Sequence, residues 1–319
     1  MRRRTGSLTI IWALTASAAP VPSAPAPIAA VSPEIVAWAY PGQRPLPPLG
    51  GWDRTALHSL PGSSARFTEA QLHDLDRAAD WLPASHPPMP AVVAQGRAPG
   101  LHACGSCHLP DGAGRTENAS LAGLQRAYIV EQLAAFANGT RRAAVPGSAP
   151  AAMMAEVARN ARPDEIAAAA DYFSRLHYTR RIRVVETATV PVPKTQGFVL
   201  VAQTGSRREP IGERIIETPD DLARFEQRDG TAGYTAYVPP GSLMRGAAVV
   251  ERVGCPACHG AGMKAWGAGR SPSYIFRQLL AFQTGARHNA EAAPMTAVSR
   301  QLTTPEMIAV AAYWASLEP

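Results

Sequence analysis

The sequence predicts a mainly helical protein with two small helical units, an irregular N-terminal extension before them and a partly β insertion between them. The 319 residues suffice for about two domains of roughly 150 residues each. A helical pattern, Y-I-x-x-Q-L-x-x-F, occurs twice, at 128–136 and again at 274–282. Such a long internal repeat indicates that one structural unit is present twice. The 30 Pro and 26 Gly predict irregular segments between these units.

The N-terminus has the layout of a secretory signal. Arg2, Arg3 and Arg4 precede an apolar stretch at 8–16, and Ala16-Ser17-Ala18 offers a cleavage triplet. We therefore expect residues 1–18 to be a signal peptide and the remaining chain to be exported to a bacterial periplasm. The alternative is an uncleaved anchor, although the apolar stretch is short for a bilayer core of about 30 Å.

The charge after cleavage argues against nucleic-acid binding. Loss of three arginines and no acidic residue lowers the net charge from +6 to +3, which is modest for a nucleic-acid binder. Beyond the signal, the chain has no continuous apolar run of 18 residues, so we expect no stable membrane span in the mature chain.

The extension is predicted at 19–90 and contains one expected helix. Proline and glycine at 31–66 favour extended coil there. Thr68 and Gln71 form a capping-box pattern, which predicts a helix from that point to Asp80.

The two units are predicted at 91–178 and 242–319, with the insertion at 179–241. Their Ala-rich closing helices, 166–176 and 307–317, align and pair Tyr172 with Tyr313. In the insertion we expect strands at 181–186, 198–202 and 213–217, because these segments are apolar or alternate in polarity. A short helix is expected at 220–227.

All four cysteines fall in two pentapeptides of the form C-x-x-C-H. The first contains Cys104, Cys107 and His108, and the second contains Cys255, Cys258 and His259. This is the attachment signal of a c-type haem, in which two thiols bind the porphyrin and the histidine ligates the iron. Chance predicts only about 0.001 such pentapeptides in a chain of this composition.

Two other kinds of site were weighed for these cysteines. A zinc site needs its cysteine pairs close together, commonly about 15–20 residues apart, whereas these pairs lie far apart in the chain. Redox disulfides are compatible with an exported protein, but they do not require the histidine at the fifth position.

The second iron ligand is predicted to be a methionine in each unit. After His108, the good donors before the closing helix are Met153 and Met154. The repeat pairs Met154 with Met295, so we prefer Met154 to Met153. After His259 the other candidates are His288, which would give a bis-His site, and two residues close behind the proximal histidine, Met263 and Lys264.

The order of these motifs resembles class I cytochrome c domains joined in tandem, as in two-domain dihaem cytochromes c. The resemblance covers 91–178 and 242–319 and implies two small all-α domains, two covalently bound haem c groups, and His/Met ligation of each iron. It also implies a close helix contact at a small residue, for which Gly96 and Gly246 are candidates with Tyr172 and Tyr313 as partners.

These features predict a periplasmic carrier of single electrons between a redox protein donor and an acceptor, with a dehydrogenase or a terminal oxidase as candidate partners. The alternative is a dihaem enzyme, such as a peroxidase, with one open haem position. Two further sets of residues are expected around the haems. The apolar liners are Leu121, Leu133, Phe136, Leu279 and Phe282, and the arginines for propionates or an acidic partner are Arg115, Arg141, Arg142 and Arg287.

Overall fold

The computed structural model describes residues 30–42, 53–203, 205, 207–264 and 267–319. The predicted signal peptide at 1–18 lies outside the described residues. Within them, no helix is both long and apolar enough to cross a membrane.

The N-terminal extension contains short elements. In chain order these are α1 (Pro33–Ala39), β1 (Leu57–His58), β2 (Phe67–Thr68), α2 (Glu69–Leu72) and a 3-10 turn (Pro83–Ser85). Helix α1 was not expected in this proline-rich stretch. It begins at Pro33, and the Ser32 side chain accepts a hydrogen bond from the backbone N–H of Ile35.

The expected helix from Thr68 to Asp80 is wrong in its extent. The capping box of Thr68 and Gln71 forms as predicted, but α2 ends at Leu72. The Asp74 side chain then accepts a hydrogen bond from the backbone N–H of Asp76 at 2.9 Å. Aspartate that bonds to nearby backbone offers the chain an alternative to the helix, so the segment turns instead.

The first unit consists of five helices around its own core. They are α3 (Ala91–Ala94), α4 (Cys104–His108), α5 (Arg126–Ala137), α6 (Ala149–Asn160) and α7 (Pro163–Arg175). Val93, Leu101, Ala170 and Phe173 are fully or almost fully buried in this core.

The insertion is mostly β structure with one short helix. Its elements are β3 (Ile182–Glu186), β4 (Thr189–Pro191), β5 (Pro193–Gln196), β6 (Val199–Ala202), β7 (Arg208–Pro210), β8 (Ile216–Pro219), α8 (Leu222–Glu226) and β9 (Tyr234–Val238). The main sheet has the order β3-β9-β8, with β3 parallel and β8 antiparallel to β9. The strands expected at 181–186 and 198–202 are present, whereas the strand expected at 213–217 begins later, at Ile216.

The insertion shares a hydrophobic core with the second unit. Ile216 and Phe225 of the insertion belong to the same buried cluster as Phe276 and Met307 of the second unit. A simple linker would bury no such common core. The inserted sheet is therefore a fixed part of the structure that surrounds the second C-x-x-C-H motif.

The second unit repeats the helix order of the first. It contains α9 (Ser242–Val253), α10 (Pro256–His259), α11 (Pro272–Gln283), α12 (Ala293–Ser299) and α13 (Thr304–Ser316). The predicted fold class, mainly helical with a partly β insertion, is confirmed.

The expected glycine contact occurs in only one of the two units. A Cβ at Gly246 would lie 2.1 Å from the Ala309 carbonyl oxygen and 2.6 Å from Tyr313 Cβ, so α9 and α13 cross closely there. Gly96 instead lies beyond α3, and a Cβ would meet the Leu101 carbonyl oxygen at 2.3 Å rather than Tyr172. The Gly96 prediction is wrong because α3 ends at Ala94, so Gly96 is not part of a helix, whereas Gly246 lies within α9.

Candidate haem-binding site

The first C-x-x-C-H motif forms the short helix α4 at the wall of a large cavity. Cys104, Cys107 and His108 all line this cavity, which has a volume of about 580 Å³. His108 Nδ1 lies 2.8 Å from the Ala119 carbonyl oxygen, and as an N–H it donates a hydrogen bond there. This contact leaves Nε2 as the nitrogen with a lone pair for a metal. Burial lowers the pKa of His108, which favours the neutral form that ligates metals.

The second motif opens onto the same cavity through its histidine. His259 is buried and lines the cavity, with its ring centroid 4.7 Å from that of Trp314. Phe173 stands in the matching place beside His108, at 6.4 Å. Each proximal histidine therefore packs against an aromatic ring from the closing helix of its own unit. Among the described residues, Cys255 and Cys258 are not part of the cavity lining.

Burial raises the pKa of one cysteine in each motif. All four cysteines are free thiols in the structure. Burial raises the pKa of Cys104 to about 12 and also raises the pKa of Cys255. Redox-active cysteines instead have lowered pKa values that favour the thiolate. Burial thus disfavours the thiolate form of Cys104 and Cys255.

The candidate methionines face the cavity from the helices that precede each closing helix. Met153 and Met154 on α6 both line it and are half-buried, and Met295 on α12 is also half-buried and lines it. His288 is different, because its ring faces the Gly285 carbonyl at 3.0 Å and it is not a lining residue. Met263 is buried away from the cavity, and its carbonyl accepts a hydrogen bond from Trp314 Nε1 at 2.6 Å.

The wall between the histidines and methionines is apolar. Five expected liners all contribute to it, namely Leu121, Leu133, Phe136, Leu279 and Phe282. An apolar wall with a few convergent polar groups is typical of a site for a large, flat organic cofactor.

Arginines line the same cavity with few carboxylate partners. They are Arg115, Arg141, Arg142, Arg228, Arg270, Arg277 and Arg287. Of these, and within the part of the chain that the structure describes, only Arg115 forms an ion pair, with Glu117 at 3.2 Å. Arg142 Nε and Arg287 Nε are buried and have no hydrogen-bond partner among the described residues. Buried cations normally have an anion as partner, so this cavity has the charge expected of a site for an anionic ligand.

Two of these arginines connect the two units. Arg141 donates to Gln132 of its own unit at 2.7 Å and to Tyr274 of the other at 2.8 Å. Arg287 donates to Gln278 of its own unit at 3.2 Å and to Tyr128 of the other at 3.0 Å. The Arg142 N–H donates to the Ala286 carbonyl, and the His288 N–H to the Thr140 carbonyl, which joins the two loops in a short antiparallel bridge.

Sequence reasoning missed three of the lining arginines. Arg270 donates to the Ser120 and Ala122 carbonyls of the first unit, at 2.9 and 2.7 Å. Arg277 donates to the Ala39 carbonyl at 3.1 Å and to the Thr116 carbonyl. Arg277 occupies the repeat position that Glu131 holds in the first unit, and this change of charge within a repeat is a signal that could have identified it. Arg228 gives no such signal, because it lies in the insertion.

The residues present fit a c-type haem at the first motif. The cavity combines two thiols, an oriented neutral imidazole, thioether sulfurs, apolar walls and arginines without carboxylate partners, which suit propionate groups. The second motif supplies the same donor types, with its imidazole and Met295 on the cavity.

The chain was compared with known proteins. No family model and no curated protein matches it. Among solved structures, it is similar to the thiosulfate dehydrogenase (TsdBA) from Marichromatium purpuratum, with 27% identity, a TM-score of 0.46, and coverage of 71% of this chain and 39% of that chain. It is also similar to cytochrome c4 from Acidithiobacillus ferrooxidans, with 21% identity, a TM-score of 0.42, and coverage of 67% and 98%. A third similar structure is cytochrome c4 from Pseudomonas stutzeri, with 19% identity, a TM-score of 0.42, and coverage of 67% of this chain and 93% of that chain. The chain spans about two fifths of the length of the thiosulfate dehydrogenase to which it is similar.

Proposed function

We propose that this protein is an exported c-type cytochrome that binds two haems covalently and passes single electrons between redox proteins. The observation that carries the proposal is the orientation of His108. Its Nδ1–H is engaged by the Ala119 carbonyl at 2.8 Å, while its ring and the side chains of Met153 and Met154 line one cavity. His259 and Met295 repeat this pairing of donors in the second unit.

A bound haem would supply a one-electron redox change, and the chain would hold it by covalent bonds and metal ligands. Cys104 and Cys107 would attach the first haem, and Cys255 and Cys258 the second. His108 and His259 would ligate the irons together with Met154 and Met295. With two protein ligands for each iron, no place would be left for a substrate, which suits an electron carrier, and a Met ligand raises the reduction potential relative to a second histidine.

The protein partners in this proposal are an electron donor and an electron acceptor outside the cytoplasm. Export rests on the basic and apolar pattern at 1–18. A dehydrogenase and a terminal oxidase are the candidate partner classes.

The test is to express the chain with the cytochrome c maturation machinery and to examine the purified protein. Mass spectrometry should give the mass of the cleaved chain plus two haems. The oxidised spectrum should contain the weak long-wavelength band of methionine-bound ferric haem, and carbon monoxide should leave the reduced spectrum unchanged. A high-spin haem, or ready binding of carbon monoxide, would contradict the carrier and favour the dihaem enzyme with an open position.

A further inference from the structure

A turn of the insertion places an arginine directly against the first C-x-x-C-H motif. The Arg228 guanidinium donates from Nη1 to the carbonyl of Ser106, which lies between the two motif cysteines, and from Nε to the carbonyl of Leu72. Arg228 also lines the cavity beside Cys107. A residue from the insertion therefore contacts the part of the first unit that would hold a haem.

The surroundings of the turn fix this arginine in place. Trp81 Nε1 donates to the Gln227 carbonyl at 2.7 Å, and Arg181 donates to the Gly230 carbonyl. A Cβ at Gly230 would lie 2.6 Å from Asp111 Oδ2, so the turn fits closely against the loop that follows the motif. With its backbone held on both sides and two carbonyls bound, the guanidinium has little freedom to move away.

The charge of Arg228 is not neutralised by its neighbours. Among the described residues, no carboxylate forms an ion pair with it. The nearby Arg115 is paired with Glu117, and Glu117 and Glu226 act on Arg228 without forming an ion pair with it. Burial lowers the pKa of Arg228 to about 10, which still leaves it protonated at neutral pH.

The second motif has a different electrostatic environment. The charged side chain that acts on the Cys255 thiol is the carboxylate of Glu251. The first motif also has a carboxylate near Cys104, that of Glu165, but Arg97 and Arg162 pair with it at 3.1 and 3.0 Å. Among the described residues, no arginine side chain donates a hydrogen bond to the backbone of the second motif, as Arg228 does to that of the first.

We propose that Arg228 raises the reduction potential of the first haem above that of the second, so that the first haem holds the electron in the half-reduced protein. This inference rests on the proposed function. Reduction removes one positive charge from the iron centre, so a fixed cation nearby favours the ferrous form over the ferric form. The insertion would then determine which of two otherwise similar haems is reduced first.

The experiment is a potentiometric titration of the holoprotein, with dithionite as the reductant and the haem absorbance as the signal. Arg228→Met removes the charge, and Arg228→Lys keeps it. A second substitution, Met295→His, introduced into each protein lowers the potential of the second haem and so identifies its wave. The matched control is Arg181→Met, which releases a contact to the same turn but removes an arginine that does not line the cavity.

We expect Arg228→Met to lower the midpoint potential of the first haem and to leave that of the second unchanged. Arg228→Lys should stay close to the parent protein, and Arg181→Met should have little effect. Equal shifts in Arg228→Met and Arg228→Lys, an equal shift in Arg181→Met, or no shift at all would overturn the assignment. Failure of the proposed function is distinguishable, because it would appear in the parent protein as missing covalent haem or an open iron.

Discussion

Arg141 and Arg287 lie opposite each other across the boundary between the two units and bind the same pair of glutamines. Arg141 reaches Gln132 and Gln278 at 2.7 and 3.0 Å, and Arg287 reaches them at 2.8 and 3.2 Å. Two like charges are stable so close together only when polar groups surround them, and a further anion would stabilise them more. If haem binds as proposed, its anionic groups would stabilise this pair of arginines.

Substitution of either arginine should destabilise the protein. Arg141→Met removes the arginine donor of the Tyr274 hydroxyl and one of the two arginine donors of each glutamine, and a buried polar group that loses its partner costs about 1–3 kcal/mol. We expect a loss of about 2–4 kcal/mol in the free energy of unfolding, measured by denaturant titration of the holoprotein.

The double variant of these arginines gives a sharper result. Because each glutamine keeps one arginine donor in either single variant and loses both only in the double variant, the loss in Arg141→Met/Arg287→Met should be larger than the sum of the single losses. Arg300→Met, at an exposed position, is the control and should change stability by less than about 0.5 kcal/mol. Strict additivity would contradict the shared network.

The methionine ligand of the first haem can be identified by paired substitutions. Met154→Ala should open one of the two irons, so that half of the methionine–iron band is lost and carbon monoxide binds to that haem. Met153→Ala should keep the full band, since Met154 is the residue that the repeat pairs with Met295. The opposite pattern would assign the ligand to Met153. If both variants kept the full band, neither methionine would be the ligand.

The helix crossing at Gly246 should tolerate no larger residue. Gly246→Ala places a methyl group 2.1 Å from the Ala309 carbonyl oxygen, so α9 and α13 must move apart. Overpacking of this kind costs about 1–3 kcal/mol, measurable as a lower denaturation midpoint. Arg245→Ala, at the exposed neighbouring position, should leave the midpoint nearly unchanged, and an equal fall in both variants would argue against the crossing.

Glu217 should make stability depend on pH. Its carboxylate is buried and accepts hydrogen bonds from Ser271 Oγ at 2.8 Å and from the Ser273 N–H at 3.1 Å. Burial raises its pKa above the ordinary value of 4.5. The folded protein therefore holds the proton more tightly than the unfolded chain, and the stability that this provides is present below pH 4.5 and is lost as pH rises through the folded pKa.

The test compares Glu217→Gln with the parent protein in unfolding titrations between about pH 5 and pH 8. The variant should gain stability relative to the parent as pH rises, because it has no carboxylate to ionise in the core. Glu213→Gln, at an exposed position, is the control. A constant difference between Glu217→Gln and the parent across this range would mean that Glu217 does not titrate there.

Local patterns in the sequence predicted the parts of the fold that depend on neighbouring residues. The repeated Y-I-x-x-Q-L-x-x-F helices, the Thr68 capping box and the strand at Ile182–Glu186 all follow from spacing or alternation within a few residues. The motif histidines and methionines were likewise chosen from spacing and repeat position, and their side chains meet at one cavity.

Features that depend on distant contacts were not predictable in this way. The parallel pairing of Ile182 with Tyr234 brings together strands from the two ends of the insertion, and no local pattern specifies it. The contact of Arg228 with Ser106 likewise joins residues that are far apart in the chain. Gly96 was misassigned for a related reason, because only the length of α3 in the folded protein shows that this helix ends before Gly96.

The same three residue types stand on both sides of the boundary between the two units, and they make the same contacts in both directions. Arg141, Gln132 and Tyr128 of one half correspond to Arg287, Gln278 and Tyr274 of the other, and each set contacts the opposite set. This self-complementary arrangement is the geometry of a twofold-symmetric homodimer, here contained within a single polypeptide. A chain with only one such unit would present the arginine, glutamine and tyrosine needed to pair with an identical copy. Covalent linkage has freed the two copies to diverge, so that an insertion beside one of them can make their environments unequal.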